Sequence, residues 1–203
     1  MRRSADGREI SRAAHVSGDR LEFAPASYNR GLIRAAAELA PPGITVVTHD
    51  LIDLPLYNGD VEAEGDPEPV VRLKRAIASA DGLLIASPEY NHCVPGVLKN
   101  AIDWASRPAR HSVLTGTAIA IMGASTSRGG TARAQAQLRD GLAYTGGLVL
   151  PLPEVLVSLA HDHFDEDGNL IDPEVEEEVR DLLKSFAAWT RRIQGSAEEA
   201  AAS

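Results

Sequence analysis

The chain has 203 residues, 44% of them hydrophobic and 24% charged, which suits one globular domain and excludes a disordered composition. Its net charge of −9 is concentrated in residues 162–203, which hold 12 acids and 4 bases. The rest is close to neutral and has no basic stripe, so nucleic acid is not expected as a partner, while an anionic ligand meets no opposing field.

Residues 1–26 contain no run of four bulky apolar residues; Ala13-Ala14-His15-Val16 is the nearest approach to a strand, and Leu21-Glu22-Phe23 is shorter. Their Arg, Ser, Asp and Gly content suits a disordered extension. Residues 29–40 have helical spacing (Leu32, Ile33, Ala36, Leu39) and stop at Pro41-Pro42-Gly43. Ile44–Thr48 reads as a strand, residues 50–66 as a loop and 67–80 as a helix. Leu83–Ala86 is a short apolar strand, and 95–106 a helix opened by Pro95. Thr117–Met122 is a strand, 130–144 a helix and Gly147–Leu150 a strand. The last helix, 173–193, is capped by Asp172 and begins with Pro173 and several glutamates; residues 195–203 read as a frayed tail. Continuous apolar strands alternating with helices predict a parallel sheet covered on both faces, with its ligand site at the carboxyl ends of the strands.

Cys93 stands alone in the sequence, which favours a reducing compartment. Met1-Arg2-Arg3 is not followed by an apolar stretch, and the apolar runs are too short to span a bilayer, so neither a secretory signal nor a membrane segment is expected and a cytoplasmic location is. His161, Asp162, His163, Asp165 and Asp167 have neither zinc-site nor EF-hand spacing and predict an acidic loop with no metal.

Two loops carry the chemistry. The first reads Ser87-Pro88-Glu89-Tyr90-Asn91-His92-Cys93-Val94-Pro95-Gly96 and runs into Val97-Leu98-Lys99-Asn100-Ala101-Ile102-Asp103-Trp104-Ala105-Ser106-Arg107-Pro108. Pro88 holds it extended, Tyr90 offers a flat face, and the peptide groups of 89–91 can bond the edge of a flat heterocycle. The second, Gly123-Ala124-Ser125-Thr126-Ser127-Arg128-Gly129-Gly130, is small and glycine-rich.

Residues 88–108 resemble the signature of the NADPH-dependent FMN reductase family, P-E-Y-N-x-x-x-P-G-x-L-K-N-A-I-D-W-x-S-R-P, at every fixed position. The resemblance extends more loosely over 27–193. It implies a flavodoxin-like three-layer α/β sandwich with a parallel five-stranded sheet, whose first strand is weak or missing in this chain. It divides the chain into an atypical, disordered or artefactual segment 1–26, an FMN-binding domain 27–194 and a tail 195–203. It also implies non-covalent FMN, NAD(P)H as co-substrate, a small-molecule electron acceptor, and a homodimer or tetramer formed through helix 95–106. Pro88, Glu89, Tyr90 and Asn91 inherit contact with the flavin ring, and Gly123, Ala124 and Ser125 its edge. Ser27 and Asn29 match the end of the family's phosphate loop, and Arg20 is a remnant of its start. Arg107, Arg110 and Arg128 are candidates for the NADPH phosphates. No protein acid or base is required, because the cofactor carries the hydride chemistry. Two other functions fit the same residues: a flavin electron carrier or sensor without NAD(P)H turnover, and a relative that has lost FMN.

Overall fold

The computed structural model describes residues 13–17 and 27–201. The elements are β1 (Ala13–Ser17), α1 (Tyr28–Glu38), β2 (Val46–His49), α2 (Gly59–Glu64), α3 (Glu68–Ala78), β3 (Gly82–Ala86), α4 (Gly96–Ala105), β4 (Ala118–Ala124), α5 (Ala132–Tyr144), β5 (Leu148–Val149), β6 (Val155–Val157) and α6 (Pro173–Ala201), with a 3-10 turn at Ala160–Asp162. All strand pairs are parallel, in the order β2-β1-β3-β4-β5, with β6 also on β4.

The first strand, expected to be weak or missing, is present and lies inside the sheet, between β2 and β3. Ala13 pairs with Val46 on one side and Gly82 on the other, and the register holds through Val16. A strand bonded along both edges draws its stability from its neighbours more than from its own apolar bulk, so composition underrates it. Ala13–Ser17 therefore share a sheet with the strands that follow residue 27.

The fifth strand position is interrupted. β5 pairs with Ala118 and Ile119, and β6 continues along the same edge of β4 at Met122 to Ala124. Pro151 and Pro153 stand between them and cannot donate to the ladder. The helix after residue 173 also exceeds its expected end, running through the expected tail to Ala201.

Strand side chains divide between two cores. Leu84, Ala86, Ala118, Ala120, Met122 and Ala124 pack under α1 and α6 with Leu32, Val179, Leu183 and Phe186. Leu83, Ile85, Ile119 and Ile121 pack under α3, α4 and α5 with Val70, Leu98, Trp104 and Leu138. This period of two, apolar on both faces, is what a covered parallel sheet demands. Among the described residues no helix is long and apolar enough to cross a membrane.

The acidic segment spends its polar groups on its own backbone. The Asp165 carboxylate accepts from the amides of Asp167 and Asn169. Asp172 caps α6 by accepting from Glu174 N, and its other oxygen lies 2.6 Å from His163 Nδ1. The His163 bond first, then the Glu174 amide, hold the Asp172 carboxyl below its ordinary value. A carboxyl lowered on folding stabilises the native state above its unfolded pKa, and that contribution fades as pH falls through the folded value. Asp172→Asn is therefore expected to lose stability at neutral pH and to converge on the parent in acid, as urea titrations at several pH values would measure.

Candidate functional site

Loops 87–95 and 125–131 leave the carboxyl ends of β3 and β4, beside the start of α1 that follows β1. Five of the seven buried polar residues among the described residues gather at this end: Ser27, Asn29, Ser87, Thr131 and Gln135. Polar groups are buried only where bonds hold them, and here the bonds tie the loops together.

Asn29 is the first tie. Its Nδ2 donates to Ala124 O and its Oδ1 accepts from Ala124 N, both at 2.9 Å. On its β3 side β4 ends its ladder with Ser87 N donating to Met122 O. Two residues on, Ala124 presents its backbone groups to the same side, and the Asn29 amide takes the place of a strand. Ser27 caps α1, its Oγ accepting from Arg30 N.

The turn after β3 is a two-residue hairpin. Tyr90 N donates to Cys93 O and Cys93 N to Tyr90 O. Asn91 and His92 at its tip have φ of 52° and 62°. That is the geometry of a type I′ turn, in which glycine usually fills the second place. The turn is pinned from α5. Glu89 Oε2 accepts from Arg133 N at 2.9 Å and Ala134 N at 3.0 Å. The Arg133 guanidinium lies 2.6 Å from His92 Nδ1, and Gln137 bonds both His92 O and Val94 N. Burial pushes the Glu89 carboxyl up, but the Ala134 amide, His92 and the Arg133 amide hold it below the usual carboxylate range. Among the described residues, none accepts from the N–H of Glu89, Asn91 or His92.

The loop after β4 is stitched to the next strand. Ser125 N donates to Val157 O, and Ser125 O accepts from Ala160 N. Gly123 is needed because a Cβ there would meet Ser87 O and Thr131 Oγ1. The close approach that its size permits is between protein segments.

The sequence-predicted residues therefore separate by what their atoms are doing. Asn29, Gly123, Ala124 and the Glu89 side chain are occupied with other parts of the protein. Pro88, Tyr90, Asn91 and Ser125 lie on the two loops that flank the carboxyl ends of β3 and β4. Arg20 lies outside the described residues. Arg107 is engaged by Glu62 at 2.9 Å, while Arg110 and Arg128 are exposed. Sequence reasoning missed Arg133 and Gln137. Both lie on α5 at i and i+4, facing the hairpin, but no local pattern says which turn a helix face will meet.

The sequence pattern of the NADPH-dependent FMN reductase family matches residues 23–162. The chain belongs to that family. This reductase is 45% identical over 169 residues to the NAD(P)H-dependent FMN reductase PA1204 of Pseudomonas aeruginosa, a match spanning 83% of this chain and 91% of that one. It is 41% identical over 165 residues to 2-hydroxy-1,4-benzoquinone reductase from a Burkholderia species, covering 81% and 90% of the two chains. Among solved structures it is similar to the flavoenzyme NAD(P)H:(acceptor) oxidoreductase FerB of Paracoccus denitrificans, with a TM-score of 0.80, 31% identity, and coverage of 90% and 98%. The protein is an NAD(P)H-dependent flavin oxidoreductase of flavodoxin-like fold, with FMN as its cofactor.

The described residues fit the ring end of FMN. The open N–H groups of 89, 91 and 92 are the donors that the carbonyl and nitrogen edge of a flavin requires. At the other end, the first-turn amides of α1 are of the kind that receives a phosphate.

Proposed function

We propose that FMN lies across the carboxyl ends of β1, β3 and β4, with its ring edge on the backbone of 89–92 and its phosphate toward Ser27 and the start of α1. The observation that carries this reading is the set of unpartnered amides on a hairpin held rigid from outside. Bound FMN supplies the hydride and electron transfer. The chain's part is to bind and orient it: Tyr90 offers a face, Pro88 and the pinned hairpin fix the edge, and Ser125 bounds the opposite side. Arg110 and Arg128 remain open for the phosphates of NAD(P)H.

The acceptor proposed is a small quinone, the substrate class named for the Burkholderia relative. A homodimer is proposed through α4. Its support is a groove of about 890 Å³ between α4 and α5, lined by Val94, Ile102, Leu138 and Tyr144 among others, with Tyr144 93% exposed. A reducing, cytoplasmic setting is proposed from the single cysteine.

The test is the visible spectrum of purified protein after incubation with FMN and desalting. Retained flavin bands, bleached by NAD(P)H and restored by a benzoquinone, are the expected result. Absence of retained flavin would sink the reading. Retained flavin that NAD(P)H cannot bleach would favour the electron carrier.

A further inference from the structure

Glu89 is the second residue of the family signature, yet its carboxylate accepts from amides of α5 and from none of the hairpin's open amides. Its side chain is 6% exposed, and Oε2 is shared by two consecutive amides at the start of α5. That helix has no side-chain cap of its own, since Thr131 at the N-cap position makes no such bond. Glu89 thus caps, across 44 residues of sequence, a helix to which it does not belong. The hairpin beside it needs restraint, because two consecutive non-glycine residues hold positive φ. Arg133 and Gln137 supply further bonds from the same helix, but both are long and exposed side chains. The Glu89 bonds join backbone to backbone through one short buried group.

We infer that Glu89 is a positioning residue: by capping α5 it locks the Tyr90–Cys93 hairpin in the conformation that presents its free amides to the flavin, without touching the flavin itself. The inference rests on the site proposed above. Glutamine can imitate this role, with its carbonyl oxygen accepting from Arg133 N and Ala134 N. Alanine cannot.

The experiment compares the full-length protein with Glu89→Ala and Glu89→Gln. Losing one helix cap leaves a domain of this size folded. Three quantities are read: amide hydrogen exchange at Cys93 and Ala134 without flavin, the FMN dissociation constant from flavin fluorescence, and the midpoint potential of bound flavin. Glu89→Ala is expected to speed both amides and weaken FMN binding by about tenfold or more, the loss that a removed charge-assisted bond brings. It should also shift the flavin potential, while Glu89→Gln stays within about threefold of the parent in exchange and binding. Unchanged exchange at Cys93 in Glu89→Ala would overturn the coupling, whether or not flavin binds. Equal FMN affinity and potential in Glu89→Ala and the parent would overturn the positioning role. If Glu89→Gln matched Glu89→Ala, the negative charge would be acting directly and the role would also fall. Failure of the parent itself to bind FMN would instead refute the proposed site, leaving the exchange data to judge the cap.

Discussion

Replacing Asn29 with alanine is expected to destabilise the domain by about 2–4 kcal/mol, because it orphans two buried backbone groups at once, each costing roughly 1–3 kcal/mol. Ala124 is 1% exposed, and both its N–H and its C=O are satisfied by the Asn29 amide. Asn29 is itself 3% exposed, so water cannot enter to replace it without opening the junction of α1 and β4. Aspartate is no remedy. It can accept from Ala124 N but cannot donate to Ala124 O, and it would bury a charge facing a carbonyl. Urea denaturation of Asn29→Ala and Asn29→Asp measures this. A loss under about 1 kcal/mol in the alanine variant would mean that the clamp is not needed. Because the clamp joins the start of α1 to the end of β4, both variants should also loosen the proposed FMN site.

Gly123→Ala should be at least as damaging, by about 3 kcal/mol or more, at the upper end of what overpacking costs. The added methyl would lie against Ser87 O and within 2.6 Å of Thr131 Oγ1. Neither obstacle can move cheaply. Ser87 and Thr131 are fully buried, Ser87 N is bonded to Met122 O, and Thr131 Oγ1 accepts from Gln135 Nε2. Trimming the side chain in a Thr131→Ser background should not rescue the variant, because the Ser87 carbonyl is backbone. Thermal denaturation of the single and double variants decides the matter, and a Gly123→Ala protein melting with its parent would show that the two loops have room to part. A wedge here separates loops 87–95 and 125–131, so whatever folded protein remains should retain less FMN.

The contrast between Gly123 and Glu89 shows where reading the chain succeeds and where it stops. Both were expected at the flavin, and the segments they belong to do stand at the carboxyl ends of adjacent strands. Yet each side chain, or its absence, serves a contact with another segment: Ser87 and Thr131 for one, the α5 amides for the other. A family signature marks positions that a fold cannot change. It does not separate those that touch a ligand from those that hold the touching parts in place.

By itself the sequence determined the class of the fold and the family. Strands such as Leu83–Ala86 are apolar on both faces, helices such as 173–193 are amphipathic and capped, and residues 88–108 spell a turn and helix start unlike a chance match. Those are local properties, written in neighbouring residues. Tertiary structure alone decided that Ala13–Ser17 form a strand between β2 and β3, that β6 completes an edge broken by prolines, and that Asn29, Glu89, Arg133 and Gln137 tie these loops to the helices around them. Each of these depends on partners 33 to 95 residues away in the chain. A hydrogen bond between distant residues leaves no periodicity in either segment, so only the folded arrangement reveals which donor meets which acceptor.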